Sequence, residues 1–347
     1  MVLIKNKNMC IVVRDIEPKI AKEDLVVIKC LHKTPNGKFE TPYRNMVVQF
    51  NKVLRPSQRE PEIYSIYWND DLKEIHGGVF HALLTYDTSY LHSRNDVFFK
   101  AIIPKGTEYW LDTLCHEICA TQMIITDKKA TKKSIKVNFL KTILENAPET
   151  YGGLRVGDWV MNDNSVIHPN GRISKKNVKA IVCGFDMHRP ICCATDKLYV
   201  YHFDKNAGYG TFNNLSVVDA EKDFNGQGYM QQYKMSRLSQ KKERFEAYEA
   251  CLNYRLDHLG ENWHLGSLGE TKTMLENALY VNASFKILND YVINSYESYM
   301  TSNESGENIF VCDVNARYVS KCIAFKKSYG KQYCIIPFLN GSITYKG

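Results

Sequence analysis

Asn262-Trp263-His264-Leu265-Gly266-Ser267-Leu268-Gly269-Glu270 is the stretch on which the fold turns. Trp263 and Leu265 alternate into a core as a short strand would, and Gly266 permits a close approach. Ser267, followed three residues later by Glu270, is a capped helix start. A helix is therefore expected after Ser267, presenting Met274, Leu275, Ala278 and Leu279 at helical spacing. His264, Ser267 and Glu270 also have the side chains of acid–base chemistry, yet capping explains two of the three without it.

Upstream of this run, residues 238–259 carry Phe245, Tyr248, Ala250, Cys251, Leu252, Tyr254 and Leu256 at the spacing of an amphipathic helix stopped by Gly260. Downstream, residues 309–312, 320–325 and 333–338 are β-branched and aromatic runs of strand length. Residues 154–160, 180–185 and 198–203 read as strands ahead of the helices. Strands, two helices and strands again make an α+β unit whose terminal strands can pair. The first half is punctuated differently: residues 9–13, 25–31, 63–68, 98–103 and 123–126 are strand-like, separated by Pro35-Asn36-Gly37, Gly77-Gly78 and Pro104-Lys105-Gly106. Residues 1–127 therefore form a β-rich domain, 128–152 a Lys-rich linker, and 153–347 a second domain.

That second domain resembles the Lcl-type branch of the C-type-lectin-like family of bacterial and phage surface proteins. The resemblance rests on Val156-Gly157-Asp158, the strand 180–185, Ala250-Cys251-Leu252-Asn253-Tyr254, the Trp263-to-Glu270 turn, Ser298-Tyr299-Met300-Thr301-Ser302-Asn303-Glu304, and the closing Ile335-Ile336-Pro337-Phe338. Two positions depart from the family pattern: Gly266 replaces its Pro, and Ile336 its Arg, which removes a guanidinium able to pair with a carboxylate or ligand. The resemblance implies an α+β fold, a β-rich N-terminal domain followed by a lectin-like domain with two helices and antiparallel strands. The N-terminal half resembles, more loosely, small β-rich modules of phages of gut bacteria, through Pro42-Tyr43, Gly78-x-x-His81-Ala82 and residues 103–106.

The composition bounds the function. With 347 residues, 44% hydrophobic and 12% aromatic, the chain has ample apolar material for packed cores. The formal charge of +7 is mild and spread over both halves; its densest basic cluster, Lys128, Lys129, Lys132, Lys133 and Lys136, reads as a solvated linker, so no nucleic-acid partner is expected. The eleven cysteines are scattered, odd in number and mostly flanked by apolar residues, as reduced core thiols are. No run approaches a membrane span, so no membrane insertion is expected. Lys outnumbers Arg, and Asn and Tyr are abundant, as AT-rich codons of a bacterial or phage genome produce.

Catalytic signatures are lacking: there is no phosphate-cradling loop, no Gly-x-Ser-x-Gly elbow and no His-Glu-x-x-His. Cys115-His116-Glu117-x-Cys119 has no second ligand pair for zinc and reads as buried thiols in a helix. Trp68-Asn69-Asp70-Asp71 reads as a turn. The loop 219–229, with Asp219, Asp223 and Asn225, has oxygens for a cation but lacks the paired calcium motifs of sugar-binding lectins. No catalytic residue, metal or cofactor is therefore assigned. Long aromatic and amide-bearing loops form ligand faces, which singles out Tyr209, Phe212, Asn213, Asn214, Tyr229, Gln231 and Gln232 in loops 205–235.

The expectation is a non-enzymatic virion component, a head fibre or other adhesin, made in the host bacterial cytoplasm. Its expected partners are other virion proteins, a glycan or cell-surface receptor, and further copies of itself. A cytoplasmic enzyme or host-interaction factor acting through His81, His116 or Cys115, and a purely architectural capsid protein, stand as alternatives.

Overall fold

A computed structural model describes the chain except residues 1–10, 43–44, 57–59, 67–68, 85, 87–90, 92, 132–133, 135–136, 151, 172, 188, 201–214, 240–244, 255–261, 289–292, 294–296, 306–307, 316–317, 327–331, 341–343 and 346–347. It divides into two compact units, residues 1–140 and 141–347. Among the described residues the first is built of strands up to the start of one helix, and the second mixes helices with sheets.

The first unit is built on a nine-stranded sheet. Its centre is the antiparallel pair Leu25–Lys33 and Asp96–Ile103, in register from Leu25 opposite Ile103 to His32 opposite Asp96. Leu25, Val27, Lys29 and Leu31 alternate onto one buried face of that strand, so a lysine occupies a core phase. Phe80–Leu83, Glu117–Ala120, Glu108–Leu111 and Lys19–Ile20 extend the sheet on one side, Met123–Lys129 and Val53–Leu54 on the other, and the ninth strand, Phe39–Glu40, pairs with the end of Leu25–Lys33. A three-stranded sheet orders Ile11–Val13, Asn69–Ile75 and Ile63–Ile66. The expected glycine punctuation is present: Gly37, Gly78 and Gly106 all have positive φ. Helix α1, Val137–Leu144, lies inside the stretch read as linker.

The described residues of the second unit form two sheets. One orders Asn262–Leu265, Pro337–Asn340, Arg189–Ala194, Val178–Asp186, Trp159–Met161, Ser165–Ile167 and Thr344–Tyr345; the other orders Leu198–Val200, Tyr333–Ile335, Ser298–Ser305, Asn308–Asn315 and Tyr318–Lys326. Thr344 lies opposite Ser165 in parallel pairing, so the last strand does return beside the opening hairpin. The helices are α2, Val217–Glu221; α3, Gly226–Ser239; α4, Glu246–Leu252; α5, Leu268–Glu276; and α6, Ala278–Ile287. Tyr229, Met230 and Tyr233 of α3 and Ala247, Tyr248 and Cys251 of α4 join Val200, Leu265, Met300, Val311, Tyr333 and Ile335 in one core cluster.

Several elements differ from the sequence expectation. Among the described residues of 238–259, helix is found in the end of α3, up to Ser239, and in the seven residues of α4, bounded by Phe245 and Asn253. Val156-Gly157-Asp158 is a turn before a strand: Gly157 has φ +98°, and the Asp158 carboxylate accepts the Arg155 amide at 2.8 Å. The closing segment is two strands. Tyr333–Ile335 and Pro337–Asn340 belong to different sheets, and buried Ile336 is the crossing point. Cys115 and Cys119 are not helical; Asp112 accepts the His116 and Glu117 amides at 2.6 and 3.0 Å, which forms a turn with Cys115 at φ +57° and sends Cys119 into a strand. Asn69 likewise starts a strand, not a turn. Among the described residues no helix is long and apolar enough to cross a membrane.

Candidate functional site

The Asn262-to-Glu270 run sits where the two sheets of the second unit meet. Its strand pairs His264 with Phe338 and Leu265 with Pro337, and the next carbonyl, of Gly266, accepts the Ser302 amide at 2.8 Å, tying the run to the other sheet. A Cβ on Gly266 would lie 2.4 Å from the Phe338 ring. The bulk of a proline at position 266 is therefore excluded by the Phe338 ring.

Ser267 caps α5 in a full capping box: its hydroxyl accepts the Glu270 amide, and the Glu270 side chain accepts the Ser267 amide at 2.8 Å. His264 Nε2 lies 3.1 Å from Glu270 Oε1 and 3.2 Å from Oε2. Burial alone would push the Glu270 carboxyl up, but the His264 charge and hydrogen bond, joined by Ser267, hold it below the ordinary carboxylate range. All three side chains are buried. Ser267 Oγ contacts Glu270 Oε2 at 3.1 Å, so hydroxyl and imidazole converge on one carboxylate instead of forming a nucleophile–base pair. Trp263 stands edge-on to Tyr254, with ring centroids 4.8 Å apart.

A second polar network abuts the α5 N-terminus. Asp223 accepts the Tyr229 hydroxyl at 2.7 Å and the Asn225 amide at 2.9 Å, and the Asn303 amide group also donates to it at 2.5 Å. Asn303 Oδ1 in turn accepts the Leu268 amide, and the Asp223 carbonyl accepts the Gly269 amide at 3.1 Å. The orphan amides of the α5 first turn are thereby satisfied within the protein. Asp219 accepts the Ser216 hydroxyl at 2.6 Å, so the oxygens offered by loop 219–229 serve the fold.

The residues singled out for ligand binding separate. Tyr209, Phe212, Asn213 and Asn214 lie outside the described residues. Tyr229 is buried in the core, its hydroxyl committed to Asp223, which corrects its reading as a surface ring: helical periodicity turns it inward with Met230 and Tyr233. Gln231 and Gln232 point to solvent, joined one turn on by Met235, 72% exposed. They form the outer stripe of α3, so much of the stretch read as a loop is helix.

A cluster that sequence reading missed is built around Tyr199. Tyr199, on an edge strand, is 49% exposed, with Lys197 Nζ 5.6 Å from its ring centroid. Glu297 accepts Lys197 at 2.5 Å, Tyr299 at 2.6 Å and Tyr199 at 3.4 Å. The ladder places Tyr199 opposite Cys334 and Cys334 opposite Tyr299; no spacing within any one segment signals that row.

In the first unit, Lys29 Nζ donates to the His81 carbonyl. Burial pulls the Lys29 ammonium down to about 8, opposed by Cys30 and Glu117. Burial pushes the Glu117 carboxyl up to about 8, reinforced by Asp112 and opposed by Lys29. His81, His116 and Cys115 are all buried. Cys119 stands opposite His81 in the ladder, whereas the His116 carbonyl receives the Leu84 amide, three positions further along. Compared with family models, curated proteins and solved structures, the chain matches none.

Proposed function

We propose that this chain is a non-enzymatic binding protein of a bacteriophage particle, a head fibre or other virion adhesin, whose second unit is a C-type-lectin-like scaffold. The observation that carries the reading is the division of α3. Tyr229, Met230 and Tyr233 anchor one side in the core, while Gln231, Gln232 and Met235 stand outward, a rigid amide-rich stripe suited to directional hydrogen bonding with a glycan or protein receptor. Tyr199 adds an exposed ring of the kind that stacks on apolar sugar faces. The lectin-like reading of the scaffold draws on the order of its motifs and on the return of Thr344–Tyr345 beside Ser165–Ile167. The acid and base groups of the Asn262-to-Glu270 run meet one another, which supports a scaffolding role for that run. In the first unit Ile63 and Tyr64 are 42% and 51% exposed on a sheet-edge strand, as suits an attachment or self-assembly contact.

Glycan-array binding by the full chain, compared with Gln231→Ala/Gln232→Ala and Tyr199→Ala, tests the display. Binding weakened about tenfold or more by the variants is the expected result; no binding to any glycan or receptor preparation would overturn it. One observation favours a second reading, an enzyme or host-interaction factor working through the first unit. Lys29 and Glu117 are both held at about 8, a range suited to proton transfer. Mass spectrometry of purified particles decides between the two: presence supports the virion component, and absence with abundance in the infected-cell cytosol selects the second.

A further inference from the structure

Among the described residues, Tyr64 and Tyr199 are the exposed aromatic side chains, at 51% and 49%. They sit in different company. Tyr64 donates to the Glu62 carboxylate at 3.3 Å and meets the His76 ring edge-on, with centroids 4.8 Å apart. Tyr199 is the middle residue of Leu198–Val200, an end strand of the five-stranded sheet. Strand alternation turns Val200 into the core cluster and the tyrosine outward. Lys197 Nζ lies over one face of the Tyr199 ring, 5.6 Å from its centroid. The ring hydroxyl reaches Glu297 Oε1 at 3.4 Å, and Glu297 is itself fixed by Lys197 at 2.5 Å and by the Tyr299 hydroxyl at 2.6 Å.

The ring is therefore braced at its tip and along one face before any ligand arrives, and a braced side chain loses little freedom on contact. The face turned away from Lys197 is the one left for a ligand. Charge is settled as well, because Lys197 and Glu297 neutralise each other. We propose that Tyr199 is the stacking platform of a saccharide subsite for a neutral hexopyranose, one whose axial C–H bonds form an apolar face. The subsite rests on the reading of the chain as a display protein and narrows it to one sugar class at one ring. A C–H face laid on an aromatic ring buries apolar area on both partners without burying a charge. A sialic or uronic acid would instead bring its carboxylate beside Glu297, whose negative charge already engages Lys197. Glu297 and Lys197 act as positioning residues, and the ring makes the contact.

The test uses the full chain and saturation-transfer NMR with defined probes: cello- and galacto-oligosaccharides as the neutral sugars, sialyllactose and an oligogalacturonate as the acidic ones. The neutral probes should bind, with the strongest transfer to the C–H protons of one sugar face. Tyr199→Ala should weaken that binding about tenfold or more, whereas Tyr199→Phe, which keeps the ring, should stay within about threefold of the natural chain. Tyr64→Ala should leave it unchanged. Glu297→Gln leaves Lys197 uncompensated and should move the preference towards the acidic probes, a change that a loss of packing would not produce. Thermal midpoints check that each variant is folded. Undiminished binding by Tyr199→Ala, equal losses in Tyr199→Phe and Tyr199→Ala, or a natural chain that prefers the acidic probes would overturn the subsite. Binding kept by Tyr199→Ala but lost by Gln231→Ala/Gln232→Ala overturns it while glycan display stands. If the natural chain binds none of the probes the subsite falls, and the virion reading is still judged by particle mass spectrometry.

Discussion

Lys29 shows how one side chain can set the pH response of a whole unit. It lies in the core phase of its strand and compensates for burial with one carbonyl, that of His81. Glu117 is raised from 4.5 to about 8, so the folded chain retains a proton that the unfolded chain has released; that contribution to stability is lost as pH climbs from 4.5 towards 8. Lys29 is lowered from 10.5 to about 8, so above that value the unfolded chain binds the extra proton, and stability grows as pH rises from 8 towards 10.5. The Cys30 and Cys119 thiols of the same unit, pushed up by burial, remove stability once pH passes 9, so the Lys29 gain stands alone only between about 8 and 9. The first unit is therefore predicted to lose stability from pH 4.5 to about 8 through Glu117. Hydrogen exchange along Leu25–Lys33, corrected for intrinsic rates, should show protection falling across that range, and Lys29→Met with Glu117→Gln should flatten the fall. Protection that is constant or rising there would contradict the Glu117 titration. Nothing in the local sequence marks this pair, because Val26-Val27-Ile28-Lys29-Cys30-Leu31 reads as a strand whichever way its lysine points.

The helix α5 rests on contacts that sequence spacing announces and on others that it does not. The Ser267 and Glu270 capping box was legible from their separation alone, and Ser267→Ala is predicted to cost about 1 kcal/mol or somewhat more, measurable by chemical denaturation. The carboxylate also serves His264, so Glu270→Ala strands an imidazole and the Ser267 amide in a buried site. The cost is about 1–3 kcal/mol per stranded group, a larger loss than for Ser267→Ala. Because Glu270 titrates below its ordinary value, its contribution is present above the usual carboxylate range and fades as pH falls beneath it. Gly226, at the start of α3, is the converse case. Helix propensity favours alanine by about 1 kcal/mol, yet a Cβ there would lie 2.5 Å from Glu270 Oε2 and 2.7 Å from the Leu265 carbonyl oxygen. A backbone oxygen cannot swing aside, so Gly226→Ala is predicted to lower the unfolding midpoint; a rise would show that α3 moves freely against the run.

The division of the chain falls within α1. Phe139 meets the Tyr109 ring at 6.1 Å in the first unit, while in the second the Leu144 side chain fills the space beside Gly157, 2.5 Å from where a Cβ would be. A chain beginning at residue 137 should therefore keep the second unit's thermal midpoint. One beginning at residue 145 loses buried Ile143 and Leu144 and should melt earlier, by roughly 2–4 °C for each kcal/mol at this size. Equal midpoints would mean that α1 belongs wholly to the first unit.

By itself the sequence determined the features that short-range periodicity and stereochemistry dictate. These are the β-rich first half with its Gly37, Gly78 and Gly106 turns, the helix after Ser267, and the strands on either side of the helical region. Tertiary structure alone decided which side of α3 faces water, where Ile336 carries the chain from one sheet to the next, and how Asp223, Asn303 and the α5 amides find each other. The physical reason is separation: Asn303 and Asp223 lie 80 positions apart, and Lys29 and His81 lie 52 apart. Hydrogen bonds and desolvation across such spans arise only after the sheets have packed, and no repeat of two or of 3.6 residues encodes them.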